Sequence, residues 1–271
     1  MDTRHIRLTV IGGGAMGAAL LSGMFAASRP PVTPDRVTVV EPSADRAEYL
    51  RTTLGVTVGE LPAAASTADA VLIVVKPYIL ADVLPVLAPV LRPDAVVISA
   101  VGGVPTTTVE AGLPVGTPVV RCQPNTPVAV GQGMIAVEAG AHAGPAALDL
   151  ARELLGVAGH VAVVPERLAD VFTALSGSGP AYFFHFVESL VDAAVLIGLP
   201  RPLAEETVIA TVSGSVALLR ARGPEFTRLK AEVTSPGGVT AAGLRELELG
   251  AVRGVIQRAV QEGHRRAKEL L

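Results

Sequence analysis

Leu8–Met24 reads L-T-V-I-G-G-G-A-M-G-A-A-L-L-S-G-M. Its opening residues are apolar and β-branched, as in a buried strand, and its tail is small and apolar, as in a closely packed helix. Between them stand Gly12, Gly13 and Gly14, with Gly17 one turn further on. Gly12, Gly14 and Gly17 satisfy G-x-G-x-x-G, and the strand before and helix after supply the context that the pattern requires. Each glycine has a task. Gly12 permits the tight turn, Gly14 lets the backbone close on a pyrophosphate, and Gly17 lets the helix lie against the strand. Phosphates at such a turn meet a helix N-terminus, whose free N–H groups and dipole favour negative charge. The stretch predicts the first βαβ unit of a dinucleotide-binding sheet.

The chain downstream continues the alternation. Val37–Glu41 reads as a second strand, with Ser43 as N-cap of a helix over Ala44–Leu54. A short strand follows at Val56–Val58. Ala70–Val75 is an uninterrupted apolar run, as expected where helices cover both faces of a parallel sheet. Ala95–Ala100 and Pro118–Arg121 repeat the pattern. Gly133–Val137 and His160–Val164 read as closing strands around a helix at Ala146–Leu155. A doubly wound sheet binds its ligands beyond the carboxyl ends of its strands. Lys76 with Pro77, Gly102 with Gly103, and Gln123–Thr126 all follow strand ends and are expected to gather there.

After Pro165 the strand signal stops. The remainder reads as helices over about Glu166–Ile197, Pro202–Arg222, Thr227–Val233 and Thr240–Leu270, the first broken or kinked at Ser176–Pro180. Val191–Leu199 carries only Asp192 as a charge and Val208–Leu219 carries none. Helices apolar nearly all round must be buried, so this half predicts an obligate dimer.

Composition narrows the function. With 271 residues the length prior favours two domains. A net charge of -3 and 3% aromatic residues argue against a nucleic-acid surface. Cys122 is the sole cysteine, which excludes an internal disulfide, and the five histidines show no metal-ligand spacing. Arg4 and Arg7 before an apolar run imitate a secretory signal, but three glycines interrupt that run. No apolar run of about 18 residues stands out, so no membrane span is expected and the protein reads as cytoplasmic.

Several residues are candidates for chemistry. Glu41 ends the second strand 24 positions beyond Gly17, where a carboxylate takes ribose hydroxyls; a solvated strand-end charge is the plain alternative. Lys76 is one of only three lysines. Asn125 and Thr126 lie between Pro124 and Pro127, which stiffen a turn able to hold polar groups beside a nicotinamide. Ser176–Pro180 does not match G-x-S-x-G, so no nucleophile elbow is indicated. Ser235–Thr240 places two glycines and a threonine at a helix start, which suits either capping or a carboxylate. Cys122 reads as a small buried residue rather than a nucleophile.

Taken in order, these motifs resemble the pyrroline-5-carboxylate reductase family over essentially the whole chain. The match lies in Gly12–Gly17, Val75-Lys76-Pro77, Arg121–Pro127 (R-C-Q-P-N-T-P), Ala174–Tyr182 (A-L-S-G-S-G-P-A-Y), Asp192–Leu199 and Ser235–Thr240 (S-P-G-G-V-T). The resemblance implies an α/β fold with a Rossmann-like domain over 1–165 and a helical dimerisation domain with the substrate loop over 166–271. It implies reduction of the cyclic imine Δ1-pyrroline-5-carboxylate to L-proline with NADPH or NADH, without a metal. Cofactor contacts are expected at Gly12, Gly14, Ala15, Met16, Gly17, Glu41, Ser43, Lys76, Pro77, Pro124, Asn125 and Thr126. Substrate contacts are expected at Ser235, Gly237, Gly238, Val239 and Thr240, with Thr240 bonding the substrate nitrogen. The implied partner is a second copy of the chain, with dimers able to assemble further. Ala15, Cys122-Gln123 and Val239 depart from the family's common residues. The competing readings are a reductase of another cyclic imine and a dinucleotide sensor without turnover.

Overall fold

The structure, a computed structural model, describes residues 5–269. Arg4 and Leu270 lie outside the described residues. The first half alternates strands and helices: β1 (Leu8–Ile11), α1 (Ala15–Phe25), β2 (Val37–Val40), α2 (Ala44–Leu54), β3 (Thr57–Val58), α3 (Leu61–Ala65), β4 (Ala70–Ile73), α4 (Leu80–Leu87), β5 (Val96–Ser99), α5 (Thr106–Ala111) and β6 (Val119–Gln123). It closes with β7 (Gly133–Ala139), α6 (Pro145–Gly156) and β8 (Gly159–Val163).

The strands form one sheet in the order β3-β2-β1-β4-β5-β6-β7-β8. Order reverses between β1 and β4, the switch point at which doubly wound sheets bind ligands. β1 to β6 pair in parallel, while β7 runs antiparallel to β6 and β8 runs parallel to β7. The closing strands were expected from their composition, but their reversed direction was not, because direction follows from connection length rather than residue type. Residues 124–132 join β6 to β7 through one short 3-10 helix, Thr126–Val130, too short for a parallel crossover.

Strand residues alternate between two cores, which explains the unbroken apolar runs. Val10, Val39, Leu72, Ile98 and Val120 pack with Leu20, Leu21 and Met24 of α1 and Leu154 of α6. Ile11, Val71, Ile73, Val97 and Val119 pack on the other face with Leu84 and Leu87 of α4 and Val109 of α5. Ser43 caps α2, accepting from Arg46 N at 3.4 Å.

Beyond β8 the chain forms α7 (Ala169–Phe172), a π turn (Thr173–Gly177), α8 (Gly179–Leu196), α9 (Arg201–Arg222), α10 (Phe226–Glu232), α11 (Val239–Leu249) and α12 (Val252–Glu269). The expected break at Ser176–Pro180 is the π turn, with Pro180 in the first turn of α8, where its missing N–H costs nothing. The single helix read from Thr240 on is two helices. Gly250 ends α11, and Ala251 follows at φ 52°, a left-handed conformation outside any helix.

By compactness the chain divides into a first unit that runs through Gly177 and takes in the chain from His264, and a second over Ser178–Gly263. In the second unit the buried core is Val191, Ala204 and Val208. Phe184, Leu196, Ile209, Val216 and Phe226 of the same unit are exposed. One described helix, Arg201–Arg222, is long and apolar enough to cross a membrane by length and composition. That differs from the expectation that no such run exists, because Ser, Thr and Gly among its apolar residues mask it in the bare sequence.

Candidate active site

The glycine turn leaves β1 with Gly12 at φ 102°, a conformation that strains any L side chain. A Cβ there would also lie 2.5 Å from the Val74 carbonyl oxygen. At Gly17 a Cβ would strike the Gly12 carbonyl oxygen, so the helix could not approach the turn. Gly14 is different: it is exposed, and a Cβ would meet nothing within 4 Å. It is also the N-cap of α1, whose first-turn N–H groups at Ala15, Met16 and Gly17 have no intrahelical acceptor. Open backbone above a helix start fits a pyrophosphate in both shape and charge.

The β2–α2 loop is laced to this turn. Glu41 Oε2 accepts from Gly13 N at 2.9 Å, and Oε1 accepts from Ser43 N at 3.0 Å. Arg46 Nε donates to the Gly13 carbonyl at 2.7 Å and its Nη2 to the Gly14 carbonyl at 3.1 Å. Its guanidinium also lies 4.5 Å from the Tyr49 ring centroid. Glu41 and Ser43 are thus placed beside the glycine turn, with a cation next to them.

Across the switch point, Lys76 and Pro77 follow β4 and are exposed. A cleft of about 160 Å³ opens beyond β5 and β6, its walls including Met16, Gly102, Gly103, Cys122, Gln123 and Thr173. Pro124 also lines it, while Asn125 spends its side chain on structure: Nδ2 donates to Ser176 O at 3.1 Å and Oδ1 accepts from Met134 N at 2.9 Å. Thr126 is exposed at the same turn. Cys122 is buried, and burial, with Glu138 adding to it, pushes its thiol up to about 12. It stays protonated and is no nucleophile.

Behind the cleft lies a charged cluster that sequence reading missed. Arg121 and Glu138 are 2% and 1% exposed, opposite each other on β6 and β7, with Nη1 to Oε2 at 3.4 Å. Gln123 Nε2 donates to Glu138 Oε1 at 3.0 Å, and the Thr173 hydroxyl lies 3.0 Å from Gln123 Oε1. Glu166 approaches Arg121 at 3.9 Å. Burial raises the Glu138 carboxyl to about 7; Arg121 pulls it back, while Glu166 and Asp170 add to the rise. The available signal was a lone carboxylate in an otherwise apolar strand, Gly133–Ala139.

The loop Ser235–Thr240 belongs to the second unit. Gly237 sits at φ 69°, and Gly238, at φ -79°, is the N-cap of α11. The helix therefore starts at Val239, one residue earlier than the sequence suggested, and Thr240 falls in its first turn. Gly238 N turns back to Ser235 O at 3.1 Å, which leaves the N–H groups of Val239, Thr240 and Ala241 without intrahelical acceptors. Val239 is 92% exposed. Among the described residues no group of three or more His, Cys, Asp or Glu could hold a metal ion.

The family model for pyrroline-5-carboxylate reductase dimerisation matches residues 166–270, and one described as NADP oxidoreductase coenzyme F420-dependent matches 7–103. The chain is 41% identical to pyrroline-5-carboxylate reductase of Mycobacterium tuberculosis, covering 97% of this chain and 96% of the relative. It is 38% identical to that of Corynebacterium melassecola, covering 97% and 98%. Among solved structures, the Coxiella burnetii pyrroline-5-carboxylate reductase superposes with a TM-score of 0.89 at 32% identity, covering 98% of both chains. The Plasmodium falciparum pyrroline carboxylate reductase with NADP bound gives 0.87 at 29% identity, also covering 98% of both chains.

Proposed function

The chain belongs to the pyrroline-5-carboxylate reductase family, and from that premise we propose how its own residues reduce Δ1-pyrroline-5-carboxylate to L-proline. NAD(P)H supplies the hydride to the C=N carbon, and with one proton from solvent the imine becomes the secondary amine. We assign cofactor binding to residues 1–165 and dimerisation with the substrate loop to residues 166–271.

The N–H groups of Ala15, Met16 and Gly17, over the open face of Gly14, take the pyrophosphate. Glu41 and Ser43 receive the adenosine ribose, and Arg46 offsets the repulsion between Glu41 and a 2′-phosphate, so the enzyme takes either NADPH or NADH. Lys76 and Pro77 border the nucleotide, and the Pro124–Thr126 turn holds the nicotinamide end.

Ser235, Gly237, Gly238 and Val239 shape the substrate loop. The observation that carries this assignment is the helix start at Val239, whose free N–H groups and dipole suit the substrate carboxylate. Thr240 is the catalytic residue in the sense of contact. Its hydroxyl is too weak an acid to donate a proton outright, so it orients the ring nitrogen through a hydrogen bond. A protonated imine needs no stronger acid.

The partners in this reading are the small-molecule substrate, the cofactor and a second copy of the chain, with neither nucleic acid nor membrane involved. The exposed apolar face of α9 fits a partner helix rather than lipid, because the dimerisation model spans it. A cytoplasmic location follows, and activity in the membrane pellet after fractionation would contradict it. The loop assignment is tested by Thr240→Ala, which should lower kcat/KM for the imine about ten- to a hundred-fold, the loss of one hydrogen bond to a charged group. NAD(P)H affinity should stay unchanged. Weaker cofactor binding with normal imine turnover would place the loop at the dinucleotide instead.

A further inference from the structure

A carboxylate can only accept, so Gln123 must turn its Nε2 toward ionised Glu138, and its Oε1 is then the end left for the cleft side. Thr173 uses at most one lone pair of that oxygen, since its hydroxyl is shared with the Ala169 carbonyl at 3.1 Å. The second lone pair is open to a donor in the cleft. Register supports the arrangement: Arg121 faces Glu138 and Gln123 faces Ala136, so Gln123, two residues on, lies diagonal to Glu138 on the same face. The cleft is built wholly from the unit that carries the glycine turn, with Met16 of α1 in its wall.

We propose that Gln123 recognises the carboxamide of the nicotinamide ring, its Oε1 accepting an amide N–H, and that buried Glu138 is the positioning residue that fixes which end of the Gln123 amide the cleft presents. This rests on the proposed assignment of the Pro124–Thr126 turn, whose Pro124 lines the cleft, to the nicotinamide end. Arg121 holds Glu138 from β6 and keeps its acceptor oxygens aimed at the strand pair. The groups acting on Glu138 are Arg121 and Cys122 from β6, Glu166 from the turn before α7, and Asp170 from α7. Protonated Glu138 could donate to Gln123 Oε1, which would let the amide turn over and present its NH2 to the cleft. With the carboxyl raised to about 7, that change falls within an accessible pH range.

The test is calorimetric binding of NADP+, of its 3-acetylpyridine analogue, which lacks the amide N–H donors, and of 2′-phospho-ADP-ribose, which lacks the ring. Wild type at pH 8 should favour NADP+ over the analogue by about three- to ten-fold, one neutral hydrogen bond. Gln123→Met should erase that preference and leave 2′-phospho-ADP-ribose affinity unchanged. In wild type the preference should shrink at pH 5.5. Equal binding of NADP+ and the analogue by wild type, or an equal loss for all three nucleotides in Gln123→Met, would overturn the proposal. So would a preference independent of pH, in the part concerning Glu138. Wild type that binds none of the three would remove the cofactor reading itself.

Discussion

Glu41 illustrates how one side chain can serve the fold and the ligand together. Its carboxylate accepts from Gly13 N and Ser43 N and so shapes the turn, and the proposed function gives it a ribose as well. Glu41→Ala should shift the kcat/KM ratio toward NADPH by removing the charge that repels a 2′-phosphate, while weakening both cofactors through the freed Gly13 N–H. Steady-state kinetics with both cofactors check this, and an unchanged ratio would mean that Glu41 does not face the ribose. In the loop Ser235–Thr240 two glycines are held by different constraints. The left-handed position is Gly237, whereas Gly238 is restricted sterically, because a Cβ would strike the Ser235 hydroxyl. Gly238→Val should therefore cost more imine kcat/KM than Thr240→Ala, because it turns the Ser235 hydroxyl aside and sets a branched side chain beside the N–H groups that open α11.

At the scale of elements, the β6–β7 pair buries an ion pair in a sheet whose other buried residues are uncharged. Glu138 is raised in the fold from an ordinary 4.5 to about 7, so its ionisation works against stability as pH rises through that window, and protonation below it removes the penalty. Arg121 relieves part of this cost. Arg121→Met should thus destabilise the protein by about 3–5 kcal/mol at pH 8, the usual penalty for orphaning a buried charge, and by less at pH 5. Denaturant unfolding at the two pH values checks it; equal losses would mean that Glu138 does not carry the dependence. This pair also marks the limit of what residues disclose one at a time. Ala70–Val75 and Leu8–Ile11 announce themselves because an unbroken apolar run has few other places to go. That Arg121 meets Glu138 depends on an antiparallel register set by the short β6–β7 link, and neither residue's neighbours encode it. The cleft residues were legible to the extent that they follow strand ends. Thr173 was not, because a π turn placed it there.

For the molecule as a whole, the second unit is the part least able to stand alone. Its core of Val191, Ala204 and Val208 is small beside the apolar surface that its helices expose, and the dimerisation model covers it. Light scattering at micromolar concentration should give a dimer or an assembly of dimers. Ile209→Asp together with Val216→Asp, both exposed on α9, should shift the mass toward monomer by burying charge at the interface. A wild-type monomer with full activity would refute the obligate dimer. The central claim is that this chain reduces Δ1-pyrroline-5-carboxylate to L-proline with hydride from NAD(P)H. The most direct measurement follows NADPH and NADH oxidation by the purified protein with and without Δ1-pyrroline-5-carboxylate, with L-proline quantified alongside. The account predicts oxidation only with the imine present, and one L-proline formed per cofactor oxidised. Cofactor binding without imine-dependent oxidation, or oxidation without L-proline, would contradict it.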